Sequence, residues 1–166
     1  TQVSWGTTDV RYAKHGLPRL KNQQTVALKG WRGERVNAQA VVWTGVELKD
    51  LNFSFGDFKD KKGNVLPQDA FTGGFVRYVM TDELNKDKRG TCGYRPDRTL
   101  FDSSLVADVL DMKVADYMEA RTVRPVWVKI RVPENLPAGV YRGKLSFGHP
   151  DIQPLVIEIG VVNQSL

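Results

Sequence analysis

Residues 31–45 read WRGERVNAQAVVWTG, and in an extended chain Val36, Ala38, Ala40 and Val42 fall on one side while Arg35, Asn37, Gln39 and Val41 fall on the other. Alternation with period two marks a half-buried strand. The same stretch raises a question, because Glu34, Arg35, Asn37 and Gln39 form either a polar site or the wetted side of that strand. RPVWVKIRVP (124–133) repeats the pattern, with Val126, Val128, Ile130 and Val132 opposed by Trp127, Lys129 and Arg131. Further strands are predicted at TVAL (25–28), LNFSF (51–55), FVRYVM (75–80), GVYRGKLSF (139–147) and LVIEIGVV (155–162), separated by the turn-rich text DKKGN, FTGG, ENLPAG and GHPD. Many short strands punctuated by turns predict a mainly β fold, a two-sheet antiparallel β-sandwich with at most one short helix.

That helix is predicted at DSSLVADVLDMKVADYMEA (102–120), which holds neither Gly nor Pro. Val106, Val109, Leu110, Val114, Tyr117 and Met118 fall near helical spacing, and Asp102 or Ser103 stands where a cap belongs. No repeat, low-complexity tract or Pro/Ser linker interrupts the chain, so residues 1–166 are expected to form one sandwich domain, a size that needs no disulfide to fold.

Composition narrows the function classes. The chain is 41% hydrophobic and 26% charged, and no apolar run approaches the roughly 20 residues a membrane helix needs. The net charge of +5 invites a nucleic-acid reading, but Lys and Arg are spread along the chain among acidic neighbours. Only NKDKRGTCGYRPDR (85–98) is locally basic, and a solvated loop accounts for it. The single cysteine, Cys92, permits no intrachain disulfide, and His15 and His149 stand far apart with no Cys/His cluster beside either, so neither a zinc site nor any cofactor is predicted. Asp102, Asp108, Asp111 and Asp116 lack the spacing of a calcium loop and are expected to serve as helix caps and surface charge. The first residue is Thr rather than Met, which fits a trimmed N-terminus and leaves export open.

Several blocks occur together in a telling order: GERVNAQAVVWTG, FVRYVMTDEL followed by CGYR, LVADVLD, RPVWVKIRVP and PAGVYRGKLSF. In that order they resemble the N-terminal β-sandwich domain of glycoside hydrolase family 123, from about Trp31 to Leu166. The PAGVYRG hairpin is common among bacterial sandwich domains, whereas the RYVMTDE and ADVLD blocks are more specific. The resemblance implies a longer parent enzyme, a β-N-acetylgalactosaminidase acting on glycolipid or related glycans. Its catalytic (β/α)8 barrel would follow the sandwich, with an adjacent Asp-Glu pair in which Asp orients the substrate's acetamido group and Glu acts as general acid. Such a barrel needs about 200 residues or more, so none fits within this chain. The resemblance further implies a secreted or periplasmic bacterial setting and, for LVADVLD, makes an extended path as plausible as the helix.

An adjacent acidic pair, Asp82-Glu83, follows FVRYVM. Glycosidic chemistry requires two groups flanking the anomeric carbon and a walled pocket that raises the pKa of one. A loop on a sandwich supplies no such pocket, and the pair precedes the region where the barrel would begin, so no residue is assigned a catalytic role. The stretch TDELNKDKRGTCGYRPD (81–97) is long for a hairpin connection. Asp82, Glu83, Tyr94 and Arg95 are therefore candidates for contact with a partner domain or for the rim of its cleft, with plain surface exposure the alternative. Trp31, Trp43, Tyr94 and Trp127 raise the option of glycan stacking, since Trp43 and Trp127 lie on strand faces that otherwise read polar. Burial of these rings at the sheet edge or under a partner domain is the preferred reading. The expected function is a noncatalytic domain whose partner is the C-terminal catalytic domain of the same polypeptide. The alternative is a carbohydrate-binding module that holds glycan through exposed aromatics.

Overall fold

The alternation in 35–44 and 122–131 resolves into two neighbouring antiparallel strands whose shared face is dry, with Ala40, Val42, Val126, Val128 and Ile130 wholly buried. The computed structural model describes residues 1–81, 99, 104–113 and 115–166. Among these the strands are, in chain order, β1 (Gln2–Gly6), β2 (Thr25–Arg32), β3 (Arg35–Thr44), β4 (Leu48–Phe55), β5 (Phe58–Lys59), β6 (Val65–Leu66), β7 (Phe71–Thr81), β8 (Ser104–Asp111), β9 (Ala115–Met118), β10 (Thr122–Arg131), β11 (Gly139–Phe147) and β12 (Leu155–Ser165). A 3-10 turn, Gln68–Ala70, leads into β7.

The strands form two sheets. One runs β1-β3-β10-β7-β8 and the other β2-β12-β11-β4-β9, with the β5-β6 hairpin joined to β11 beside β4. Side chains from the two inner faces meet in one core, where Val126, Val128 and Ile130 share a cluster with Ile157, Ile159, Tyr141, Leu145 and Phe53. Each such side chain contributes roughly 1.5–3 kcal/mol through burial. The Trp5 indole N–H donates across the sandwich to the Val156 carbonyl at 2.9 Å. All the strand pairs are antiparallel except β2 with β12, which run parallel and tie Thr25 to Val156.

Two glycine positions show how tightly the sheets are seated. A Cβ at Gly143 would lie 2.5 Å from the Phe58 ring, which stacks on Phe71 at 4.2 Å. FTGG, which reads as a turn in sequence, instead opens β7. Its glycines are needed there because a Cβ at Gly73 would lie 3.0 Å from the Phe53 ring, and one at Gly74 would lie 2.1 Å from the Asp111 carbonyl oxygen. At Gly33 and Gly63, by contrast, φ is +84° and +87°, a left-handed conformation that suits Gly.

The helix predicted at 102–120 is absent. Its described residues form β8 on the edge of one sheet and β9 on the edge of the other, so LVADVLD takes the extended path. The apolar spacing misleads for a definite reason. β7 pairs Arg77 with Val109 and Tyr78 with Ala107, which leaves Asp108 as an extra residue in a bulge. That bulge breaks period two in β8, and the crossing near 112–114 breaks it again before β9.

Pro125 lies within β10, an interior strand, where a missing N–H normally costs a ladder bond. β7 pairs with β10 only from Val126 onward and then parts from it. The Val123 N–H, two residues back and so pointing the same way as residue 125, donates to the Lys14 carbonyl on that open side. Pro125 therefore faces the gap, and no β7 partner is lost. Residues 12–15 occupy the gap and knit its two sides together: Ala107 N–H donates to the Tyr12 carbonyl, and Lys14 N–H donates to the Leu105 carbonyl.

Candidate functional site

Three of the four polar residues of the opening stretch have local structural tasks. Glu34 Oε2 accepts the Trp31 N–H at 2.7 Å, closing the β2-β3 corner around Gly33. Asn37 Oδ1 accepts the Trp127 indole N–H at 3.2 Å across the β3-β10 pair. Arg35 is exposed. Gln39, expected on a wetted face, is only 3% exposed, because residues 7–10 lie over it. Its amide donates to the Thr7 and Val10 carbonyls at 2.7 and 3.1 Å. The outer face of this sheet thus carries a small second core, in which Tyr12, Val41 and Val123 pack with Leu20 and Trp43. What looks like a polar site is the seat of the N-terminal segment.

The carboxylates do not converge. Asp108 pairs with Arg11 at 3.2 Å, Asp111 with Arg77 at 3.9 Å and Asp116 with Arg124 at 3.0 Å, so strand-edge ion pairs replace the expected helix caps. Asp102 lies outside the described residues, as do Asp82, Glu83, Tyr94, Arg95, Cys92 and nearly all of the basic stretch 85–98. Among the described residues, no three His, Cys, Asp or Glu side chains gather where they could hold a metal ion. Nor is any helix there long and apolar enough to cross a membrane.

One buried polar cluster stands out at the β7-β10 parting. The Arg124 guanidinium lies 4.9 Å from the centroid of the Tyr78 ring, and Asp116 holds its other edge. The Tyr78 hydroxyl and Arg124 Nε are both buried without a hydrogen-bond partner, and burial pushes the Tyr78 phenol well above its ordinary value. Nearby, the Lys14 ammonium bonded to Glu119 at 2.9 Å holds that carboxyl below the usual range. Neither arrangement pairs a carboxylic acid with a second carboxylate across a walled space.

The surface depressions give the same result. One of about 700 Å³ lies beside Trp43, between β1, the segment 17–24 and the β11-β12 loop, and holds one carboxylate, Asp151. A smaller one of about 250 Å³ lies beside Trp127 and holds only Asp108. A third, near the start of β7, is lined by Asp69, Glu134 and Arg131, all three exposed.

The Trp candidates form no single platform. Trp31 is 46% exposed on β2 of the other sheet. Trp43 and Trp127 share the outer face of the first sheet, but Trp127 stands opposite Gln39, four residues along β3 from Trp43, or about 13 Å. Between them the N-terminal segment packs Tyr12 on Val41. Trp43 and Trp127 are both half-buried, and each also lines a cleft, Trp43 beside Leu20 and Trp127 beside Asp108.

Fold and surface together define a two-sheet β-sandwich whose described clefts hold no enclosed acid pair. The profile of the glycoside hydrolase 123 N-terminal domain matches residues 5–148, and the chain belongs to that family. No curated protein matches it. Among solved structures it is similar to a family 123 glycoside hydrolase from Clostridium perfringens, the subject of a study of glycolipid glycan hydrolysis, with a TM-score of 0.81 at 17% identity. That match covers 98% of this chain but 27% of the enzyme. The N-terminal domain of PorA aligns over 92% of this chain and 96% of its own, with a TM-score of 0.35 at 10% identity.

Proposed function

We propose that this chain is a noncatalytic N-terminal domain of a glycan-degrading glycoside hydrolase, and that it supports a C-terminal catalytic (β/α)8 barrel in the same polypeptide. The observation that carries the reading is the family match over residues 5–148, joined to the 27% share of the similar enzyme that the chain spans. The described clefts add support, since none offers two carboxyls walled from water. On this reading the parent is a β-N-acetylgalactosaminidase-like enzyme of secreted or periplasmic location, and Asp82 and Glu83 are not its catalytic pair.

The test is hydrolysis of an aryl β-N-acetylgalactosaminide. The purified 166-residue chain is expected to release no phenol, whereas the parent polypeptide, barrel included, releases it. Release by the 166 residues alone, abolished in Glu83→Gln, overturns the reading.

A further inference from the structure

The cleft beside Trp43 has a volume of about 700 Å³, and nothing in the supporting role uses it. Its floor is the outer face of the first sheet at Trp43 and Val41, and one wall is the segment carrying Leu17, Pro18 and Leu20. Its far rim is polar, formed by Gln2 from β1 and by Asp151 and Gln153 from the β11-β12 loop. The cleft's volume of about 700 Å³ falls within the roughly 300–1,000 Å³ of small-molecule sites.

The two parts of the lining differ in how far they are already engaged. Gln24, on the inner wall, spends its amide on the Val3 carbonyl and Asn22 Oδ1. Gln2 and Gln153 are exposed, and among the described residues their side chains make no hydrogen bond. Asp151 has only a distant contact of 4.0 Å with His149. An apolar ring at the base and free amides and a carboxylate at the rim suit a ligand with one apolar face and a border of hydroxyls. A pyranose has that form: its axial C–H groups lie on an aromatic ring while its equatorial hydroxyls reach sideways to amide and carboxylate groups. A purely apolar ligand would leave the rim amides unpaired, and an anion would meet Asp151.

We propose that this cleft is a noncatalytic saccharide-binding subsite, with one sugar ring on the Trp43 indole and its hydroxyls held by Gln2, Asp151 and Gln153. The saccharide class draws on the glycan-hydrolase reading above, while the cleft's shape and free polar groups stand independently of it. The site holds glycan near the enzyme and makes or breaks no bond.

Titration of the isotope-labelled 166-residue chain with an N-acetylgalactosamine-terminated trisaccharide, and in a second arm with cellotetraose, tests the idea by amide and indole chemical shifts. Shifts confined to Trp43, Gln2 and residues 151–154 are expected in at least one arm at millimolar sugar. Trp43→Ala weakens binding by about tenfold or more, the loss of one ring contact worth about 1.4 kcal/mol. Because Trp43 also packs on Leu20, the double variant Gln2→Ala/Gln153→Ala keeps the test independent of folding, and it too weakens binding. Trp31→Ala, on the other sheet, leaves binding unchanged. No shift in either arm, shifts centred on Trp31 or Trp127, or full binding by both cleft variants overturns the proposal. Those outcomes leave the supporting role intact, since that role is read from hydrolysis by the parent polypeptide and not from sugar binding here.

Discussion

The inner and outer faces of the five-stranded sheet are built from the same strands but held by different means. On the inner face, Ala40, Val42, Val126, Val128 and Ile130 are buried against the opposing sheet, and polar side chains enter only beyond Val42, at Thr44, Thr122 and Arg124. On the outer face, a loosely regular N-terminal segment is laid over β3 and anchored by single polar contacts, chiefly the Gln39 amide, around the small cluster of Tyr12, Val41 and Val123. A two-sheet core is cooperative because each side chain there touches many others. A strap over a sheet depends on a few named bonds and is undone one contact at a time.

Substitutions should separate the two faces. The largest effect is expected on the inner one: Ile130→Ala removes a wholly buried side chain and should cost about 2–5 kcal/mol in urea unfolding, with the entire transition shifted. Gln39→Ala comes next. It leaves the Thr7 and Val10 carbonyls without their donor at a cost of about 1–3 kcal/mol. Its distinctive mark is accelerated hydrogen exchange at Lys14 and Ala107, whose amides pair the strap to β8, without a matching change in the inner strands. If exchange rises equally everywhere, the strap is part of the global core and the contrast fails. Asn37→Ala should cost less, about 0.5–1 kcal/mol, since it removes one exposed bond to the Trp127 indole.

The smallest effect concerns pH. Lys14 holds the Glu119 carboxyl below its ordinary range, so the folded state favours the charged form. The contribution is present above the ordinary glutamate pKa and is lost as pH falls through the lowered folded value. Glu119→Gln should therefore lower the melting temperature slightly near neutrality, and the gap from the parent chain should close below about pH 4. A gap that persists in acid would show that the side chain acts through its shape and not through its charge.

The same contrast explains what the sequence could reveal. The strands facing the opposing sheet, β3, β10, β11 and β12, were readable because their apolar residues recur at every second position without a break. β8 was not readable as a strand, because the extra residue at Asp108 shifts the phase and mimics helical spacing. FTGG was read as a turn because Gly commonly marks one, whereas here Phe53 and the Asp111 backbone occupy the space a side chain would need. Gln39 gave no signal of its own, since the segment that buries it comes from residues 7–10, about thirty positions away and without regular alternation. Trp43 and Trp127 were both visible as rings on polar faces, but only tertiary structure shows that each is half-buried and borders its own cleft.

The parallel β2-β12 pair has a consequence for synthesis. Thr25 has its strand partner at Val156 and Gly30 at Val161, so sheet pairing joins the first fifth of the chain to its last few residues. No amino-terminal fragment that stops short of β12 can close the sandwich, because β12 is the strand that joins β2 to β11. The nascent polypeptide must hold its Val- and Ile-rich segments open until about residue 161 has emerged, so truncation within β12 strands β2 without its partner.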